Sequence, residues 1–310
     1  MREVARIKLP PHRSEGDFDH AAVDSVGDRL YVAHPSNDAV EVVDLSARRH
    51  SATLTGLRGV AGVWVDPKSR LLFTSNRGED TASIFRLEEG GAREVARVPT
   101  GARPNGMAFD PGRSVLLVAG VGVAGTPSSP PTLTFVTAHD GRRLGQVVVP
   151  GRTRWALYHR PSDAFYVNVA DPPQVLSVPA GTLPALGRER AIPARGPHGL
   201  EQDPAGRFLY CACDEGVLVS LEIATGATRV AGSLSGAPDV LWTDPATSRL
   251  YCAVGDPGTV DVFDLASLRP VQSVPTAEGA HTLTVDPRRN EVHVFLPGTE
   301  EDLVLGEQSR

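Results

Sequence analysis

A chain of 310 residues, 41% of them hydrophobic, with 31 glycines and 26 prolines, can bury a large core and make many tight turns. Its formal net charge of -6 argues against a nucleic-acid or anionic-membrane partner surface. No apolar run approaches the ~18 residues of a membrane-crossing helix, so a membrane partner is not expected either.

The N-terminal stretch Met1 to Gly16, MREVARIKLPPHRSEG, lacks the apolar core of a secretory signal. Cys211, Cys213 and Cys252 are an odd number of cysteines, each inside a strand-like run. That is how buried free thiols behave in a reducing compartment, so a cytoplasmic protein is the expectation.

Further along, short apolar runs bounded by Gly, Pro and Asp are too brief for helices and read as antiparallel strands. Ala237 to Thr276 shows the unit best, with runs at Val240–Trp242, Leu250–Val254, Thr259–Leu265 and Val271–Val274, here called strands a to d. The turn after strand a is anchored by Asp24, Asp66, Asp110, Asp203, Asp244 and Asp286, and Arg160-Pro161 stands in for Asp-Pro in the fourth unit. An aromatic residue opens most b strands: Tyr31, Phe73, Tyr166, Tyr210 and Tyr251. Anchors 41 to 50 residues apart have the spacing of four-stranded propeller blades. The third unit is longest because residues 120–131 extend its b–c connection.

The expected fold is all-β: a seven-bladed β-propeller forming one domain over residues 1–310. The seventh unit has strand b at Glu291–Phe295 and strand c at Leu303–Leu305, but no strand d follows. Arg2-Glu-Val-Ala-Arg-Ile7 nearly repeats Arg93-Glu-Val-Ala-Arg-Val98, the strand d of the second unit. Residues 1–10 are therefore expected to complete blade 7 and close the ring.

The segments Tyr31-Val-Ala-His34, Phe73-Thr-Ser-Asn76, Tyr166-Val-Asn-Val169 and Tyr210-Cys-Ala-Cys213 are similar to Tyr-Val-Thr-Asn repeats. Strand-c segments such as Asp38–Asp44 and Thr259–Asp264 follow such b segments, and together they resemble the YVTN-repeat β-propeller family over essentially the whole chain. Only Asn76 keeps the repeat's asparagine. The resemblance implies a seven-bladed propeller and carries over no catalytic residues, so function has to be read from the site.

In such a ring the first residues of each strand a surround one channel mouth. Five residues before each anchor stand Asp19, Ala61, Asn105, Trp155, His198, Asp239 and His281. Blades 5, 6, 7 and 1 are neighbours, so His198, Asp239, His281 and Asp19 form one arc, with His20 beside it, Asn105 across the channel and Arg154 next to Trp155. His198, Asp239 and His281 could hold a divalent ion such as Zn²⁺ or Mn²⁺, or share a proton as acid and base. Asp19, His20, Asn105, Arg154 and Trp155 would complete a substrate pocket, with Arg154 pairing with an anionic group. Polar residues at a wet channel mouth also arise with no ligand at all.

The b–c turns add His34, Asn76, Arg77, Cys213, Asp214 and Glu215. Of these, His34 and Asn76 are taken as further substrate contacts, although turn chemistry explains Asn76 as well. Two functions remain open. One is small-molecule binding at the mouth, with or without metal-assisted hydrolase (lactonase-like) or lyase chemistry. The other is a non-catalytic scaffold for a protein partner, marked by an exposed apolar patch.

Overall fold

The computed structural model describes residues 1–306. Its strands form seven four-stranded antiparallel sheets in a ring, each innermost strand packed on that of the next blade. The only helical elements among the described residues are two short 3-10 turns, Pro35–Asn37 and Ala180–Thr182.

Blade 6 shows how the sequence makes one sheet. Its strands are Pro238–Asp244, Arg249–Val254, Thr259–Asp264 and Pro270–Pro275. Strands b and c lie between neighbouring blades and are buried on both faces, so they read as near-continuous apolar runs. Strand d is the outer edge, and only Val274 of it is buried. The same gradient repeats around the ring, and the core is a set of apolar layers between blades rather than one central cluster.

The aspartate anchors have a specific job. Each folds back to accept backbone N–H groups of the a–b turn: Asp110 Oδ1 from Gly112 at 2.8 Å, Asp203 Oδ1 from Phe208 at 2.6 Å, Asp244 Oδ1 from Ala246 at 2.9 Å. In blade 4 the register corrects the sequence reading by one residue. His159 pairs with Ala164 as Asp110 pairs with Val115, so His159 is the anchor rather than Arg160. Its Nδ1 accepts the Ser162 N–H at 3.2 Å, and an imidazole replaces the carboxylate because both offer an acceptor two bonds past Cβ. Counting from His159 puts Arg154, not Trp155, in the column five residues before the anchor.

The N-terminal strand Arg2–Lys8 pairs antiparallel with Glu301–Gly306, from Arg2 opposite Gly306 to Lys8 opposite Glu301. The pairing continues where the Leu9 N–H donates to the Glu300 carbonyl at 2.9 Å. Ile7 and Leu9 are buried beside Phe18, Leu30 and Phe295, so the strand contributes core as well as ladder. The Arg6 pairs with Glu3 and Glu301 are surface pairs worth little.

Deleting residues 1–10 should expose the edge of Glu301–Gly306, lower the melting temperature and promote aggregation. A truncated chain that melts with the full-length one would contradict this closure.

All three cysteines are buried and free, and burial pushes the Cys211 and Cys252 thiols well above their usual range and Cys213 up to about 12. Thiolates are the reactive form, so native protein should label slowly at all three and unfolded protein quickly. Fast native labelling would contradict the strand-b register.

Candidate functional site

The mouth is built by bulges. At the start of strand a the ladder slips between Pro104 and Met107, Thr153 and Ala156, Pro197 and Leu200, and Pro238 and Leu241. Asn105, Arg154, His198 and Asp239 occupy these slipped segments, where a strand is free to re-aim its side chains. Gly106 and Gly199 follow two of them for a steric reason. A Cβ on Gly106 would lie 2.3 Å from the Arg154 carbonyl oxygen, and one on Gly199 2.8 Å from that of Asp239.

His198 is the most heavily bonded residue of the mouth. Its Nε2 lies 2.9 Å from Asp239 Oδ1 and its Nδ1 2.9 Å from Asp214 Oδ1. Two carboxylates accept from one ring, which suits an imidazolium with both nitrogens protonated. Burial opposes that charge, but Asp239 together with hydrogen bonds to Asp214 and Asp239 outweighs it and raises the pKa to about 9. Asp239 is held far below the carboxylate range: burial works against its charge, while His198, His281 and His20 favour it. Arg154 Nη1 is also 3.0 Å from His198 Nε2, and its Nη2 donates to Asp214 Oδ2 at 3.3 Å. Both Arg154 and Nε2–H are donors, so in the charged state Arg154 is satisfied through Asp214.

His281 is arranged differently. Its Nδ1 donates to the Gly279 carbonyl at 2.8 Å, which fixes the tautomer. Its Nε2 faces Asp239 and Asp17, each at 3.8 Å, too far for a hydrogen bond. Burial lowers the pKa of His281, and the charges of Asp239, Asp19 and Asp17 raise it by more. On the other flank Arg77 Nη2 donates to Asn105 Oδ1 at 2.8 Å and pairs with Asp19 Oδ2 at 3.2 Å.

Below this ring the channel is closed. His20 of blade 1 stacks on Trp155 of blade 4 with ring centroids 4.0 Å apart and planes 12° apart. Trp64 of blade 2 and Trp242 of blade 6 lie further along strand a of their own blades, with ring planes 8° apart and centroids 6.3 Å apart. Burial lowers the pKa of His20, so it acts as a flat neutral ring. The mouth is therefore a polar cup on an aromatic floor. Its side chains keep some solvent contact, with 13% exposure for His198, 21% for Asp239 and 24% for His281.

Of the residues singled out from sequence, His198, Asp239, His281, Asp19, Asn105 and Arg154 converge on the cup, with His20 and Trp155 as its floor. The Trp155 Nε1–H also points at Asp239 Oδ1, at 3.4 Å. His34 and Asn76 turn away into their own blades. His34 bonds Glu41 and His12 in a buried network, and Asn76 donates to Thr81 and Ser83. Both end a b strand whose side chains face the blade interior there, a direction the repeat count does not specify. Cys213 is likewise buried. Arg77 and Asp214, lesser candidates from the b–c turns, are integral to the cup. Asp17 was missed because the segment leading into blade 1 follows no repeat.

The donor set does not fit a divalent ion as it stands. His198 spends both nitrogens on carboxylates, and an imidazolium has no lone pair for a metal. Among the described residues, no group of three or more His, Cys, Asp or Glu side chains has metal-holding geometry. No helix of the described residues is long and apolar enough to cross a membrane.

Residues 20–121 match the family model described as "Lactonase, 7-bladed beta-propeller". The match covers blades 1 and 2 and half of blade 3 and agrees with a seven-bladed propeller; it does not bear on the YVTN repeats. No curated protein matches the chain. Among solved structures, Kuenenia stuttgartiensis hydrazine synthase is similar at a TM-score of 0.82 and 14% identity, over 97% of this chain and 98% of that one. A likeness at that identity carries the propeller fold and no chemistry.

The pH dependence of stability tests the His198 assignment. Its pKa is raised on folding from about 6.5 to about 9, so its contribution is complete below the unfolded value and is lost as pH rises through about 9. A shift of that size corresponds to at most about 3 kcal/mol. The melting temperature of His198→Gln should lie below wild type at pH 6, and the gap should narrow by pH 10. A gap independent of pH would contradict the charged state.

Proposed function

We propose that the cup binds a small cyclic ester and hydrolyses it, a lactonase-like activity. The observation that carries the reading is the contrast between two histidines on one carboxylate. His198 is held as an acid by Asp239 and Asp214, whereas His281 has Nδ1 occupied by a carbonyl and Nε2 open to the cup. The partial match to a lactonase propeller family supports the same chemistry.

In this reading neutral His281 takes a proton from water at Nε2 as the water oxygen adds to the acyl carbon. The guanidinium of Arg154 offsets the negative charge that develops on the carbonyl oxygen. The ring C–O bond then breaks, and His198 Nε2–H leaves Asp239 Oδ1 to give its proton to the departing alkoxide; His281 then releases its proton to solvent and His198 takes one up, which restores the starting state. The product is an open hydroxy acid, and no metal enters any step. Asp239 hydrogen-bonds His198, lies 3.8 Å from His281 Nε2 and couples their charges.

The protein-scaffold alternative has less behind it. The exposed large apolar side chains among the described residues are single valines, Val4, Val26, Val123, Val148, Val230 and Val271, spread over five blades.

Hydrolysis of a panel of five- and six-membered lactones, followed as acid release at constant pH, is the test. Turnover should rise as His281 loses its proton and fall near pH 9 as His198 does. His281→Gln should lower kcat by about 100-fold or more, as removing a general base does. If no lactone in the panel is opened above the buffer rate, or if His281→Gln turns over like wild type, the hydrolytic reading is wrong.

A further inference from the structure

Beside the cup lies a cavity of about 500 Å³, within the range of small-molecule sites. The long b–c connection of blade 3 forms one wall, and the segments entering blades 3 and 4 supply Arg103 and Arg152. That connection is a compact loop with its own backbone bonds: Val123 N–H donates to the Ser129 carbonyl at 2.9 Å, and Ser129 N–H to that of Thr126 at 2.9 Å. It is tied to the Arg103 segment where Val121 N–H and Gly122 N–H donate to the Arg103 and Ala102 carbonyls, both at 3.0 Å.

The two arginines occupy equivalent places, seven residues before the anchors Asp110 and His159. The same place holds Gly59 in blade 2, Gly196 in blade 5, Ala237 in blade 6 and Gly279 in blade 7. Gly59, Gly196 and Gly279 all have positive φ, and Arg103 shares that conformation at φ 52°. A side chain there costs backbone energy that glycine avoids. The Asp80 carboxylate holds the Arg103 N–H at 2.7 Å, as Asp38 holds that of Gly59 at 2.7 Å, so the turn is shared and only the side chain differs.

Neither guanidinium hydrogen-bonds or ion-pairs with any described residue, although most arginines around the mouth and rim are paired. Arg152 is depressed by burial and by the positive charges of Arg154, Arg103 and Arg77, with Asp214 opposing, so these groups sit within one another's field. One carboxylate, Asp171, lines the cavity as well, which leaves an excess of positive charge. Apart from Thr126 the remaining wall is apolar, chiefly from Val121, Val123, Pro130 and Pro131.

We propose that this cavity is a binding site for organic oxyanions, with Arg103 and Arg152 holding a carboxylate or phosphate head and the Val–Pro wall covering an apolar body. Two unpaired forks on adjacent blades suit such a head. The site goes beyond the hydrolytic reading of the cup and stands without it.

Titration calorimetry on the full-length protein with benzoate, phenyl phosphate and benzyl alcohol tests it. At least one anion should bind, and the tighter of the two identifies the preferred head group. Benzyl alcohol should bind about 10-fold more weakly or worse. Arg103→Gln and Arg152→Gln should each weaken the anion about 10-fold while melting like wild type, since neither guanidinium has a hydrogen bond or ion pair with a described residue to lose. His281→Gln should bind it unchanged, which separates this site from the cup. Equal binding of the alcohol, no anion binding at about 10 mM, or loss in His281→Gln with both arginine variants unaffected would each overturn the proposal.

Discussion

Seven innermost strands have to start around one narrow channel, and the pairing of Arg2–Lys8 with Glu301–Gly306 completes the ring that holds them there. A four-stranded blade buries its faces only against its two neighbours, so an incomplete last blade leaves blades 6 and 1 underpacked as well. Closure also fixes who is adjacent to whom. With blade 7 on blade 1, residues from positions 19, 198, 239 and 281 become neighbours across nearly the whole length of the chain. The glycines after the bulges serve the same geometry, because any Cβ at Gly106 or Gly199 would push the next blade's backbone outward.

That geometry sets the electrostatics. Four aspartates, two arginines and two histidines share the mouth above a floor of stacked rings that separates it from the lower channel. Under these conditions a charge persists only with a partner, and nearly every group in the cup has one. His198 carries the most partners, Asp239 on one nitrogen and Asp214 on the other. His281 has a neutral carbonyl and two carboxylates beyond hydrogen-bond range, so its proton is held less firmly. Two imidazoles on the same ring of residues thus acquire different proton affinities from their surroundings alone, the usual way for one site to hold both an acid and a base.

The fold was legible because a repeat states its own period. Seven turn anchors, an orphaned last blade and an N-terminal copy of a d strand, Arg93–Val98, leave little freedom in the architecture. The arc of His198, Asp239, His281 and Asp19 was legible for the same reason, since equivalent positions in a ring share one radius. Blade 4 slipped by one because its anchor is a histidine, and a count keyed to Asp-Pro passes over His159. Side-chain direction was not legible. His34 and Asn76 end their strands at the mouth, yet pleat and local hydrogen bonds turn them inward to Glu41 and to Ser83. The arginine pair lay two residues upstream of the column that was compared, where its contrast with glycine was visible but the cavity was not.

The charge on His198 is what joins blades 5 and 6 at the mouth, and nitrogen NMR of the imidazole rings reads it directly. In uniformly ¹⁵N-labelled protein, with His198→Gln used for assignment, both His198 ring nitrogens should carry protons at neutral pH and keep them until about pH 9. A His198 ring that titrates near the free value of about 6.5, or holds a single proton at neutral pH, would contradict the account.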